Sequence, residues 1–392
     1  MIEHPRKVQA GLHDVAGGQH TSHEVLGQPD LWLETWKSIR QQRSQISKFL
    51  NESRTSSNLL TILTGAGTSA FIGETLEASF QRSTGIITKA VATTDLVTHP
   101  ELYFSSDRDI LLVSFARSGG SPESTQAVQL SEQISRETFN LVITCNGKSR
   151  LTEAVENTHH FTFVLPPEAD DRSLAMTGSF TSMLLSGLLV SDIENIDEKE
   201  SEVKLLRLYG NKIIEDYYDS LKRVACLEFN RAIFLGSGPM KGVARESHLK
   251  LQELTDGKVI CKFDSFLGFR HGPKAVVNEQ TLITYLFTNN KYANRYEVDL
   301  VRGIGEGRKP LFTIGVMEHK IQGIKVDLEI LLGDSQNNLD EDFLAIVSVM
   351  PAQLLGFLKS AQLGLTPDNP SQSGMIHRVV QGVNIYPYGE AG

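Results

Sequence analysis

"NLLTILTGAGTSAFIGE", residues 58–74, sets an apolar, β-branched run before two glycines and two hydroxyl residues that open a helical stretch. A strand feeding a helix through such a turn is the first half of a βαβ unit. The pattern returns as "NRAIFLGSGPMK", residues 230–241, with Gly65 and Gly67 recurring as Gly236 and Gly238, 171 positions on. At the same separation Leu111–Phe115 pair with Leu282–Leu286, and Leu141–Cys145 with Phe312–Val316. Several strands in one register signal an internal duplication. Around them, "GIITKAVATTD" and "HHFTFVLP" in the first series, and "GKVICKFDS" in the second, alternate with helical stretches. The fold class is therefore α/β: two tandem, doubly wound, mainly parallel sheets flanked by helices in three layers. Ligands are expected at the carboxyl ends of the strands, where strand order reverses.

Outward from this duplication the chain divides into five parts. Residues 1–55 form an N-terminal helical segment, in which Leu31, Trp36, Ile39, Ile46 and Leu50 have helical spacing. Residues 56–200 form the first α/β domain, 201–230 a charged helical connector and 231–365 the second domain. The tail, 366–392, starts with turn residues, ends in an extended apolar run, and is expected to lie over the active-site region. With 47 acidic against 38 basic side chains, the formal charge of the 392 residues is -9. Such a chain has no general attraction for nucleic acid or an anionic membrane, so an anionic ligand must be held by local donors. Cys145, Cys226 and Cys261 share no metal-ligand spacing, and three free thiols with no metal site are expected in a reducing cytoplasm. The first residues lack the apolar core of a signal peptide, and no run approaches a membrane span.

Two stretches place glycines and hydroxyls between a strand and a helix: "TGAGTSAFIGE" and "SFARSGGSPESTQAV". Free backbone N–H groups and the helix dipole favour an anion there. Thr68, Ser69, Ser118, Ser121 and Ser124 add hydroxyl donors and Arg117 a guanidinium, so a phosphate is the expected guest. "GAGTSA" also satisfies the dinucleotide fingerprint, although the second strand is read as ending at Asp95, nearly thirty positions on, and the copy "GSGPMK" departs from it. A purely structural role for the glycines is a third reading. In "DRSLAMTGSFTSML", Thr177 and Ser179 fit either helix capping or contact with a sugar hydroxyl.

"ARESHLKLQEL", residues 244–254, carries chemistry of another kind. At about 100° per residue, Lys250 and Glu253 fall within about 40° of Glu246, between Leu249 and Leu254. The charged stripe is on the leucine side, opposite His248 and Gln252. Carboxylates beside apolar walls have raised pKa values and a nearby lysine lowers them again, which suits a base near neutral pH. The competing reading is an ordinary solvated face. His271, in "FRHGPKA", stands at a chain reversal where an imidazole could shuttle protons. His159 and His160 lack partners at metal spacing and read as structural.

Together, "TGAGTSA", "SFARSGGSPES", "ESHLKLQEL" and "FRHGP" resemble the sugar isomerase (SIS) fold of the isomerase half of glucosamine-6-phosphate synthase. "SFARSGGSPES", "SLAMTGSFTSM" and the closing "DNP…RVVQGVNIYPY" are closer to the tagatose-6-phosphate ketose/aldose isomerase family, also described as galactosamine-6-phosphate deaminases. The resemblance covers about residues 30–390. It implies tandem SIS domains, with Ser69, Ser118 and Ser121 as phosphate-binding positions beside Arg117. It implies Glu253 as the general base between C1 and C2, supported by Glu246 and Lys250. His271 matches the ring-opening histidine, which in the synthase reaches into the neighbouring subunit, so a homodimer is implied. Arg378, or Gln381 by another alignment, matches a C-terminal substrate lysine. The loop between Glu253 and His271 is two residues longer than in the synthase, and "KHGP" there is "RHGP" here.

Since the sequence starts Met1-Ile2, without a preceding amidotransferase domain, ammonia is expected to be released and not incorporated. The implied reaction converts D-galactosamine 6-phosphate to tagatose 6-phosphate and ammonia, without metal or redox cofactor. Plain aldose–ketose isomerisation uses the same proton transfer. A non-catalytic phosphosugar-binding regulator would keep the phosphate loops but has no need of Glu253 with His271.

Overall fold

The computed structural model describes residues 15–55, 58–334, 337–380 and 382–389. Among them are two five-stranded parallel sheets. The first has β1 (Leu59–Thr64), β2 (Thr88–Ala90), β3 (Asp109–Ala116), β4 (Glu137–Thr144) and β5 (His159–Val164), in the order β2-β1-β3-β4-β5. The second has β6 (Arg231–Gly236), β7 (Ile260–Asp264), β8 (Thr281–Leu286), β9 (Phe312–Met317) and β10 (Leu328–Leu331), in the order β10-β9-β8-β6-β7. Taken from its β7 edge, the second sheet repeats the winding of the first.

The duplication extends to register. Thr61 lies opposite Leu111 between β1 and β3, and Ala232 opposite Leu282 between β6 and β8, each 171 positions on. The next pairing slips: Val113 faces Leu141, whereas Thr284 faces Ile314 and not Phe312. A slip of two residues keeps every side chain on its own face, so both cores survive it.

Each sheet belongs to its own compact unit. The unit of the first sheet comprises Leu33–Asp170, Ser179–Glu200 and the chain from Ile376; that of the second comprises the described residues up to Trp32, Asp171–Gly178 and Ser201–Met375. All eight residues of β3 and all six of β8 are buried, as parallel strands covered on both faces require. In the first unit Ile62, Ile110, Leu112 and Val142 form a core with Leu96, Phe104 and Val128. In the second, Ile233, Leu235 and Ile283 pack with Phe266, Phe269 and Leu300.

The glycine pairs are demanded by the strand-to-helix turn itself. Gly67 and Gly238 share φ 56°, a left-handed conformation that suits glycine. A Cβ on Gly65 would lie 2.6 Å from the carbonyl carbon of Ser69, and one on Gly236 would lie 2.2 Å from the Met240 carbonyl oxygen. Both copies therefore need G-x-G whether or not a ligand binds.

Several elements differ from the sequence-based expectation. The first long helix runs from Gln19 to Gln41 through Pro29, so it takes in residues before the spaced apolar positions that start at Leu31. Gly210, on the helix Glu200–Ala225, makes room for Pro29 and Trp32, since a Cβ there would lie 2.8 Å from the Trp32 ring. That charged helix buries the stripe Val203, Leu206, Tyr209, Ile213 and Leu221, so it builds core besides connecting. β2 ends at Ala90, and Asp95 lies on the helix Thr93–Thr98, away from the strand end that the dinucleotide fingerprint needs. The helical stretch Glu341–Gln362 is long and apolar enough to cross a membrane, contrary to the expectation of no such run; its apolar 18-residue window is buried throughout in the fold. All three cysteines are free.

Candidate active site

In the first unit, the hydroxyl residues line the carboxyl ends of β1 and β3, beside the point where strand order reverses. Thr68 and Ser69 start the helix Thr68–Thr84 and are 5% exposed. After β3 the chain turns through Arg117, Ser118, Gly119 and Gly120 into Ser121, the N-cap of the helix Pro122–Ile134. The Ser118 hydroxyl accepts the Gly120 N–H at 3.3 Å, and that of Ser121 donates to Glu123 at 2.5 Å.

Support for this loop comes from the turn after β4, which sequence reasoning missed. Asn146 Nδ2 donates to the Ser118 carbonyl at 3.2 Å, and Leu151 N–H to that of Gly119 at 3.1 Å. Gly119 adopts φ 62°, and a Cβ on it would lie 2.2 Å from Ser149 Oγ, the capping hydroxyl of the helix Arg150–Val155. Its place between Ser118 and Ser121 in "SGGS" was the available signal.

The C-terminal tail closes over the same loop. Arg117, 6% exposed, donates through Nη2 to the carbonyl of Arg378 at 2.7 Å, and Arg378 pairs with Asp170 at 2.7 Å. Val379 Cγ1 lies 4.0 Å from the position of a Gly120 Cβ. Arg117, Ser118 and Arg378 are thus brought into one neighbourhood, with one Arg117 bond spent on the tail. Gln381 lies outside the described residues.

Thr177, in the second unit, is fully buried. Its N–H and hydroxyl donate to the Asp171 carboxylate at 2.7 and 3.1 Å, and Gly178 N–H donates to the same group at 3.1 Å. The cap of the helix Gly178–Ser191 therefore comes from Asp171, six residues before Thr177, beyond the reach of a local capping pattern. Glu24 lies close by and accepts N–H bonds from Arg172 and Ser173 and the Ser173 hydroxyl. Burial, together with the Asp171 charge, pushes Glu24 up to about 7 against those bonds.

Also in the second unit, the helix Pro239–Leu254 carries the charged stripe on its core side, as its periodicity predicts. Glu246 and Lys250 are 0% and 1% exposed. Lys250 Nζ lies 3.3 Å from Glu246 Oε1 and 2.7 Å from Glu253 Oε2. Burial works against the ammonium, yet the two carboxylates hold it above its ordinary range. Glu253 alone reaches solvent, with 23% of its side chain exposed. The result is a carboxylate whose position is fixed from beneath by a buried cation, with one oxygen committed to that cation. Such a group can accept a proton from a bound substrate.

This helix leaves the carboxyl end of β6 and runs back toward the start of β7. Glu253, at its last turn, therefore sits at the amino end of its own sheet, remote from the switch point where doubly wound α/β folds bind ligands. His271 is exposed, after the short helix Phe266–Phe269 and before Gly272 at φ 108°, at the reversal its Gly-Pro context implies. No hydrogen bond or ion pair joins it to Glu253 among the described residues. His159 pairs with Glu137 at 3.1 Å on the exposed strand β5, a structural contact.

The SIS domain family model matches residues 60–190. A D-galactosamine-6-phosphate deaminase, AgaS, from Shewanella sp. (strain ANA-3) is 36% identical over 376 residues, spanning 95% of this chain and 93% of its own length. The crystal structure of tagatose-6-phosphate ketose/aldose isomerase from Escherichia coli superposes with a TM-score of 0.86 at 34% identity, covering 96% of this chain and 98% of that one. The C-terminal domain of glucosamine-fructose-6-phosphate aminotransferase from Francisella tularensis gives a TM-score of 0.70 at 18% identity over 88% of this chain and 96% of that domain, a likeness of fold alone.

Proposed function

Because the chain belongs to the SIS-domain family of D-galactosamine-6-phosphate deaminases, we propose that it converts D-galactosamine 6-phosphate to D-tagatose 6-phosphate and ammonia in the cytoplasm. One observation carries the chemistry: a partly exposed carboxylate, Glu253, set 2.7 Å from a buried ammonium on a core-facing stripe. Binding without catalysis has no use for that arrangement.

In this reading Ser69, Ser118 and Ser121, with Thr68 beside them, hold the phosphate and so fix the orientation of the reacting end. Arg117 and Arg378 tie down the tail that covers the loop. His271, supplied by the second subunit of a homodimer, assists ring opening. Glu253 takes the proton from C2, leaving a C1–C2 enolamine with a hydroxyl on C1. Return of a proton to C1 gives a CH₂OH group and an iminium at C2. Water adds at C2, ammonia leaves, and the ketone remains. Glu246 and Lys250, at 0% and 1% exposure, act through Glu253 as positioning residues. Thr177, buried against Asp171, shapes the adjoining turn.

The likeness to a tagatose-6-phosphate ketose/aldose isomerase favours a second reading, plain isomerisation by the same proton transfer. Incubation with galactosamine 6-phosphate, glucosamine 6-phosphate and tagatose 6-phosphate separately, with ammonia and ketose both measured, divides the two. Ammonia equal to ketose from the galacto sugar is the expected result. Tagatose 6-phosphate consumed with no ammonia from either amino sugar would favour the plain isomerase.

A further inference from the structure

The duplication leaves one strand-end mouth without a task. With Glu253 at the amino end of the second sheet, the proton-transfer chemistry makes no use of the carboxyl ends of β8 and β9. A cavity of about 620 Å³ opens there, bounded by the loops after β8 and β9 and the helix Lys291–Gly305. Its volume is in the range of small-metabolite pockets. Counted at 171 positions, Asn289 corresponds to Ser118 and Lys291 to Gly120. The cavity is thus the second copy's counterpart of the serine-lined loop.

Its charge runs against that of the protein. The chain carries -9 overall, yet the charged lining is Lys291, Arg295, Arg302 and Lys320 against Asp299 and Glu318. Two of the cations are engaged, since Arg302 Nε donates to the Gly323 carbonyl at 2.8 Å and Lys320 pairs with Glu329 at 3.2 Å. Lys291 and Arg295, four residues apart on one helix face, form no ion pair among the described residues. Glu318 is 2% exposed and spent on Tyr209 Oη at 3.0 Å, Asn289 Nδ2 at 2.8 Å and the Leu339 N–H. Two such cations on the rim of a concave wall attract an anion.

The rest of the lining narrows the guest. His319 and Asn338, bonded to each other at 2.8 Å, offer polar atoms suited to hydroxyl groups. No Phe, Tyr or Trp lines the cavity among the described residues, so it has no platform for stacking a nucleobase.

We propose that this cavity is a second, non-catalytic site that binds a phosphorylated sugar, with Lys291 and Arg295 on the phosphate and the His319–Asn338 side on the hydroxyls. The test is calorimetric titration of the full chain with glucose 6-phosphate, a hexose phosphate that has no amino group to lose. The wild type should bind two equivalents per chain, and the double variant K291E/R295E one, with turnover of amino sugar unchanged. The milder K291Q/R295Q should weaken the second site at least tenfold, and it stands in if charge reversal impairs folding. One equivalent per chain that survives both double variants overturns the proposal.

Discussion

Lys250→Met isolates the electrostatic design of the carboxylate helix. The wild-type ammonium lies between a carboxylate with no solvent exposure, at 3.3 Å, and one that is 23% exposed, at 2.7 Å. Methionine fills similar volume but takes from the buried Glu246 the ammonium 3.3 Å away that offsets its charge. Breaking a buried pair in this way costs about 3–5 kcal/mol, most of it the penalty of the orphaned ion. Glu253 can shed its share of the loss into water. Glu246, with no solvent exposure, cannot, and burial without the cation favours its protonated form. Its folded pKa then exceeds its unfolded one, so the variant regains stability as pH falls and loses it as pH rises through the folded value. Equilibrium urea unfolding at pH 7.5 and pH 5.5 measures both effects. We expect the full loss at the higher pH and a clearly smaller one at the lower. The double variant Glu246→Gln/Lys250→Met, which removes both buried charges, should recover most of the stability. A loss below about 1 kcal/mol at pH 7.5, or equal losses at both pH values, would refute the reasoning, since a cation that truly offsets a buried carboxylate cannot be removed so cheaply.

Three further expectations are open to measurement. Glu24 and Glu297 should each contribute stability that is lost as pH rises from about 4.5 to 8: burial first, and then neighbouring acids, push Glu24 up to about 7 and Glu297 up to about 8, so their contribution is fullest below the unfolded value of 4.5 and is lost through these folded values. Glu297→Gln should flatten the part between pH 7 and 8 in thermal melts, and an unchanged slope there would exclude this origin. Gly119→Ala should raise KM for the phosphosugar at least tenfold with a smaller change in kcat, because φ 62° and the 2.2 Å approach to Ser149 Oγ force the serine loop to move. Steady-state kinetics decide this, and wild-type KM would show that the loop does not hold the phosphate. Arg117→Met should expose the tail to limited proteolysis near Arg378, because its guanidinium holds that carbonyl at 2.7 Å; an unchanged cleavage pattern would remove Arg117 as the latch.

What the sequence made legible follows from which interactions are periodic. Gly65 and Gly236 recur because the same strand-to-helix turn leaves no room for a Cβ in either copy. The stripe Glu246, Lys250, Glu253 declared its inward orientation because 3.6-residue periodicity set it among leucines, and all three side chains are buried or partly buried. His271 declared its reversal through Gly-Pro. Contacts made across long chain separations left no such trace. Asp171 as the cap of a helix starting at Gly178, Arg117 gripping the tail 261 residues on, and Asn146 supporting Ser118 each depend on where loops meet in space. The position of Glu253 at the amino end of its sheet was implicit in the sequence, since a helix that follows a strand runs back along it. Asp95 misled because the apolar run "IITKAVATTD" reads as one strand, whereas the strand ends at Ala90 and the chain turns into the helix Thr93–Thr98.

The central claim, that Glu253 carries the proton between C2 and C1, is tested most directly by solvent isotope. With galactosamine 6-phosphate in D₂O, proton magnetic resonance of the product should show deuterium at C1 for the wild type. For Glu253→Gln, incorporation and turnover should fall together by roughly 10²–10⁴-fold while phosphosugar affinity is retained. Deuterium appearing at C1 at the wild-type rate in that variant would contradict the account.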